Sequence, residues 1–147
     1  MNTYFNEKNI HTVDVKGRVI LSKEIRDHHG INKGDVLYCL PSLENPTYVE
    51  IRTAPQWERY FEALAKADEG EEKKLSYRFA SIAHVLATVD GQGRISIPQK
   101  IREACRIEET VAVVDMGKHI EIWAKEHIDQ KYEEMVRAFK KLNDKIF

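Results

Sequence analysis

Residues 11–31 and 87–107 are two copies of one unit, HTVDVKGRVILSKEIRDHHGI and ATVDGQGRISIPQKIREACRI, displaced by 76 positions. Eight of the 21 positions are identical: Thr12/Thr88, Val13/Val89, Asp14/Asp90, Gly17/Gly93, Arg18/Arg94, Ile25/Ile101, Arg26/Arg102 and Ile31/Ile107. Val19/Ile95 and Leu21/Ile97 are near matches. Further on the offset falls to 71, aligning VEIR (49–52) with IEIW (120–123), because the first copy has a longer loop, SLENPT at 42–47. A period this long marks two homologous modules rather than a solenoid. Any fold for this chain must therefore seat the same short unit twice.

The local pattern is the same in both copies. A short strand (HTVDV or ATVDG) enters a glycine-containing turn, and a second strand (RVILS or RISIP) leaves it. A short helix follows, with Ser22 as N-cap in the first copy, Pro98 in the first helical turn of the second, and Gly30 as the stop after KEIRDHH. Then comes a hairpin: DVLYCL with TYVEIR, and TVAVVD with HIEIW turned at Met116-Gly117-Lys118. The expectation is an α+β fold with mostly local antiparallel pairing. Three longer helices are expected at 55–67, at 71–86 and from 125. Their apolar stripes are Trp57, Phe61 and Leu64; Leu75, Phe79, Ile82 and Leu86; and Ile128, Tyr132, Met135, Phe139 and Leu142. The last stripe faces either the protein's own core or a neighbouring subunit. The chain thus divides into a first module at 1–70, a connecting helix at 71–86 and a second module at 87–147.

The formal net charge is −1, which by itself does not suggest a nucleic-acid binder. The charge is segregated, however. Positions 8–33 carry a net +3 and positions 87–107 a net +2, while acidic residues gather in ADEGEE at 67–72 and along the last helix. Both copies of the repeat are basic. At 42% hydrophobic and 32% charged, the composition is that of a soluble globular protein. No apolar run is long enough for a membrane helix, and MNTYFNEKNIH has no signal-peptide core, so a cytoplasmic location is expected. Cys39 and Cys105 are far apart without Cys-x-x-Cys spacing and are expected as small core residues.

Asp-x-x-Gly-Arg is the chemistry-bearing part of each copy. Asp14 or Asp90 can accept N–H bonds two or three residues on and close the turn. Gly17 or Gly93 can take positive φ without a Cβ penalty. Arg18 or Arg94 then leaves the turn at a fixed angle, suited to fork onto a phosphate or a guanine edge. Lys16 and Gln92 sit on the same turns. The alternative is structural: each arginine bridges back to the aspartate of its own turn or of its twin's. Arg26 and Arg102 divide in the same way, facing DNA or capping carboxylates such as Glu24 and Glu103.

DVKGRVILSKEIR and DGQGRISIPQKIR resemble the paired Gly-Arg signatures of the MraZ family, in the SpoVT–AbrB superfamily of swapped-hairpin barrels. VVDMGKHIEIWAKEHI is similar to that family's second hairpin. The likeness spans nearly the whole chain, although Ser22 stands where the family usually has proline. It implies two pseudo-symmetric swapped-hairpin modules that form a small β-barrel with flanking helices. It also implies a nucleoid-associated repressor of the division and cell-wall gene cluster it heads, assembled as a ring of about eight subunits on tandem repeats in double-stranded DNA. Carried over, Arg18 and Arg94 become the main DNA residues. Lys16, Lys8, Lys23 and Lys100 become phosphate contacts, with Arg26 and Arg102 beside them and Asp14, Gly17, Asp90 and Gly93 forming the turns.

Other functions find less support. The nucleotide-loop, nucleophile-elbow and zinc-protease motifs are missing, so neither enzyme, cofactor nor small-molecule substrate is expected. His11, His28, His29, His84, His119 and His127 show no metal-ligand spacing. His28 and His29 are expected at a surface helix end, and His84 as a satisfied core histidine. The rival is a protein-interaction module, antitoxin-like or a scaffold, that uses the helix at 125–147.

Overall fold

The computed structural model describes residues 7–66 and 70–147; Ala67, Asp68 and Glu69 of the acidic run lie outside the described residues. After a 3-10 turn at Glu7–Asn9, the first copy forms β1 (Ile10–Thr12), β2 (Arg18–Ile20), α1 (Lys23–His29), β3 (Val36–Pro41) and β4 (Val49–Arg52). Helices α2 (Ala54–Ala65) and α3 (Glu71–Ala83) follow. The second copy forms β5 (Val85–Thr88), β6 (Arg94–Ser96), α4 (Gln99–Ala104), β7 (Thr110–Asp115) and β8 (Ile120–Ala124). The chain ends in α5 (Lys125–Ile146).

Six strands form one antiparallel sheet in the order β1-β7-β8-β4-β3-β5, and β2 pairs with β6 as a separate ribbon. Only the hairpins β3–β4 and β7–β8 pair within a copy. The other ladders, β1–β7, β2–β6, β3–β5 and β4–β8, each join one copy to the other. The ribbon is centred on Val19 opposite Ile95, which are equivalent residues of the two copies. The mixed α and β fold is as expected, but among the described residues the ladders do not close into a barrel. The Asp-x-x-Gly turns interrupt the run from β1 to β2 and from β5 to β6. Backbone bonds at the two ends of the β2–β6 ribbon, Leu21 N–H to Gly93 O and Ile97 N–H to Gly17 O, both 2.9 Å, extend it by one pair each way.

Alternation explains the core. Val19, Leu21, Leu37, Cys39, Val49 and Ile51 from the first copy interleave with Ile95, Ile97, Val111, Val113, Ile120 and Ile122 from the second, all essentially inaccessible. Neither set has a comparable apolar surface to bury against without the other. Cys39 and Cys105 are buried free thiols, as expected, and burial pushes Cys39 up to about 12. A second cluster stacks Trp57 of α2 on Tyr38 and packs it with Leu40 and Ala80. A third holds the start of α5, where Ile128 meets Tyr48 and Trp123.

The ends of the short helices correspond closely. Ser22 (φ −58°, ψ 155°) and Pro98 (φ −55°, ψ 144°) share one N-cap conformation, so the serine replaces proline without a change of path. Ser22 Oγ also accepts the Ile25 N–H at 3.3 Å. At the C-terminal ends Gly30 (φ 66°) and Arg106 (φ 54°) are both left-handed. Each is followed by an isoleucine N–H that bonds back to Arg26 O or Arg102 O, at 2.8 Å in both copies. The capping box of Thr53 and Gln56 starts α2.

The helix expected at 71–86 stops at Ala83, because Val85–Thr88 is drawn into a ladder with β3. Of its expected stripe only Phe79 packs inward, beside the buried Ala80; Leu75 and Ile82 are exposed, Ile82 by 83%, and Leu86 lies on the strand. In α5 the stripe is buried at Ile128 and then runs into solvent, Phe139 being 71% exposed. Among the described residues no helix is long and apolar enough to cross a membrane.

Candidate nucleic-acid interface

Each Asp-x-x-Gly-Arg turn is closed by its aspartate. Asp14 Oδ1 accepts the N–H groups of Lys16 and Arg18, both at 2.9 Å, and Gly17 N–H bonds back to Asp14 O at 2.9 Å. Asp90 Oδ1 accepts those of Gln92 and Arg94 at 2.8 and 2.9 Å. The other carboxylate oxygen holds the arginine side chain: Arg18 Nε at 2.6 Å from Asp14 Oδ2, and Arg94 Nε at 2.8 Å from Asp90 Oδ2. The backbone N–H of Arg18 or Arg94 is the main cause that lowers each carboxyl below its ordinary range; the arginine side chain adds to it.

The bridge to the turn's own aspartate therefore forms, yet it does not exhaust the arginine. A guanidinium has five N–H donors and the bridge uses the one at Nε. The Nη groups of Arg18 and Arg94 have no partner among the described residues. In the ribbon Arg18 lies opposite Ser96 and Ile20 opposite Arg94. Strand alternation then sets both arginines on one face and the buried pair Val19 and Ile95 on the other. Two arginines oriented by carboxylates thus stand as diagonal neighbours on the outward face of a two-stranded ribbon.

Arg26 and Arg102 cap backbone rather than carboxylates. Arg26 Nε donates to Leu21 O and Arg102 Nε to Ile97 O, each at 2.9 Å. Each lies against the turn of the opposite copy: a Cβ built on Gly17 would come 2.5 Å from Arg102 Nε, and one on Gly93 2.6 Å from Arg26 Nε. Both glycines have φ +78°. Glycine is required here twice, by the backbone angle and by the arginine packed on it. Sequence spacing carries no signal for this cross-copy contact.

The expected lysines are more dispersed. Lys16 and Lys100 are exposed and make no ion pair among the described residues. Lys23 pairs with Asp27 at 3.0 Å and Lys8 with Glu24 at 3.6 Å.

The MraZ family profile ("MraZ protein, putative antitoxin-like") matches residues 83–145. A curated "Transcriptional regulator MraZ" from Thermoanaerobacter sp. (strain X514) is 32% identical over 147 residues, covering 90% of this chain and 94% of the relative. One from Dictyoglomus turgidum is 28% identical over 139 residues, covering 92% and 91%. This chain belongs to the MraZ family.

One cluster in this MraZ-family chain escaped its sequence. His28 Nδ1 and His29 Nε2 meet Asp115 of β7 at 2.5 and 2.9 Å, and the three donors lie within 4.8 Å of one another, close enough to consider a metal ion. His28 is at the surface as expected, but the His29 side chain is only 1% exposed. Gln56 Oε1 is held by the Thr53 N–H at 3.0 Å, which turns its Nε2 toward His29 Nδ1 at 2.7 Å. His29 Nδ1 is therefore the acceptor and Nε2 carries the proton that Asp115 receives. With that lone pair committed, the cluster is a hydrogen-bonded clasp between α1 and the β7–β8 turn rather than a ligand set. His84 Nδ1 donates to Ala80 O, 2.8 Å away, and the ring packs on Trp57 and Tyr38.

Proposed function

We propose that this chain is a DNA-binding transcriptional regulator that reads DNA with the β2–β6 ribbon and its two Gly-Arg turns. The observation that carries this is the pair of outward-facing arginines, each aimed by an aspartate with its Nη donors uncommitted. The major groove of B-DNA admits a two-stranded ribbon, and the commonest specific contact there is an arginine fork on guanine. Lys16 and Lys100, exposed beside the ribbon and on α4, are assigned to phosphates. Lys8, Lys23, Arg26 and Arg102 supply the surrounding positive field. The names of the curated relatives support regulation of transcription. In this reading the interleaved strands are two SpoVT–AbrB-like swapped-hairpin modules.

One subunit offers only two short turns, so tight binding calls for several subunits on repeated DNA, where linked sites gain through effective concentration. The exposed stripe of α5, Met135, Phe139, Leu142 and Ile146, supports assembly through that helix into a ring. The regulated DNA is then the tandem-repeat region upstream of the chain's own gene cluster, which the protein represses.

The test is a binding titration of the purified protein against that upstream DNA and a shuffled duplex of the same composition, at 50 and 200 mM salt. Preference for the native DNA that persists at the higher salt and is lost in Arg18→Ala is the expected result. A steep salt dependence accompanies it, about 10³–10⁵-fold for six to ten phosphate contacts. Equal binding to both duplexes refutes sequence reading by the turns.

A further inference from the structure

Between α2 and the β7–β8 turn lies a pocket of about 290 Å³, walled mainly by Arg52, Gln56, Arg59, Tyr60, Lys118 and His119. Among the described residues no carboxylate lines it. The residue that decides its chemistry is Arg52. Strand β4 carries it inward, its side chain is 8% exposed, and its guanidinium lies 4.0 Å over the Tyr60 ring. Nη1 donates to Glu50 Oε1 at 2.9 Å. The remaining N–H donors meet no acceptor among the described residues. Those donors are not sealed from solvent, so they face the space before them and are open to an anion that fills it.

The charge of that space is positive. Glu50 offsets Arg52, and His119 Nε2 lies 3.2 Å from Glu121 Oε2. Arg59 and Lys118 are exposed at the rim and have no ion-pair partner among the described residues. Donors thus converge from a recessed guanidinium, a second guanidinium and an ammonium. That arrangement suits a tetrahedral oxyanion better than a planar carboxylate, which one fork satisfies alone.

We infer that this pocket binds a small phosphate monoester, with Arg52 as the recessed anchor and Arg59 and Lys118 as the clamp. Its volume sits at the lower end of small-molecule sites, about 300 Å³, which admits a phosphate carrying one ring-sized group and excludes a large cofactor. The recess of Arg52 keeps it from the backbone of a duplex, so this site is separate from the ribbon. Gln56 in its wall bonds His29 at the end of α1, the helix whose Arg26 covers Gly93.

The experiment is isothermal titration calorimetry on the full chain, in chloride buffer at constant ionic strength, with inorganic phosphate, glucose 6-phosphate and AMP as probes. Saturable binding of one monoester per chain, tighter than inorganic phosphate, is expected. Because both rim residues are exposed, Arg59→Ala and Lys118→Ala should fold normally. Each should weaken binding about tenfold, the loss of one charge-assisted hydrogen bond, with melting temperature and DNA affinity unchanged. Absence of saturable binding by all three probes overturns the inference. So does undiminished binding in the double variant. A fall in DNA affinity in that variant without ligand would instead assign Arg59 and Lys118 to the DNA interface, and would also overturn it.

Discussion

Gly17→Ala tests the link between the turn of one copy and the helix of the other. Two costs add. At φ +78° an alanine carries the left-handed penalty, about 1–2 kcal/mol. Its Cβ would also lie 2.5 Å from Arg102 Nε and 2.6 Å from Cζ, so the guanidinium must swing away. The swing breaks the 2.9 Å bond from Nε to Ile97 O, worth about 1–2 kcal/mol net. The expected total is about 2–4 kcal/mol, read as a fall in urea midpoint at unchanged m. Arg102→Ala removes the obstacle and leaves only the backbone term. In that background Gly17→Ala should cost about 1–2 kcal/mol, so the double-mutant cycle yields a coupling of about 1–2 kcal/mol. Equal cost in both backgrounds would mean that Arg102 does not rest on Gly17 and would refute the cross-copy clamp. Gly93→Ala with Arg26→Ala should behave alike.

Arg106→Gly should stabilise the protein by about 0.5–1 kcal/mol in thermal or urea unfolding, because φ 54° strains a residue with a Cβ where the first copy has Gly30. Asp115 should contribute to the acid limb of stability. Burial alone would raise its carboxyl, but the Gly117 N–H and the His28 and His29 rings together hold it at about 2, below the ordinary 3.8. A depressed carboxyl stabilises the fold above its unfolded value and loses that contribution as pH falls, here from about 4 to about 2. Asp115→Ala should flatten that part of a urea-midpoint profile; an unaltered slope would contradict the clasp. Phe139→Glu should leave the melting temperature within about 2 °C, since the residue is exposed. It should lower the mass in size-exclusion chromatography with light scattering if α5 joins subunits. Wild-type protein that is already monomeric would count against the ring.

Much of this molecule is legible in the letters of the chain. The repeat, the eight strands, the short helices and both turns follow from local rules: alternation, the N-cap at Ser22, and glycine where φ is positive. The family resemblance rests on those same residues and is borne out by relatives that match along most of the chain. Arg18 and Arg94 were visible because their partners, Asp14 and Asp90, lie four residues away, within one turn.

Contacts between copies could not be read in the same way. A strand's own pattern says that one face is buried but does not name the partner that covers it. β1 finds β7, and β5 finds β3, because both apolar sets share a single interior. That pairing ends α3 at Ala83, where helical spacing extends it to residue 86, and leaves Leu75, Ile82 and Leu86 of the expected stripe exposed while Phe79 packs inward. The same long-range packing set Arg102 on Gly17, His29 against Asp115 and Gln56, and Arg52 at the base of a basic pocket. In each of these, residues distant in sequence meet only because the core has brought their elements together, and local propensity holds no record of that meeting.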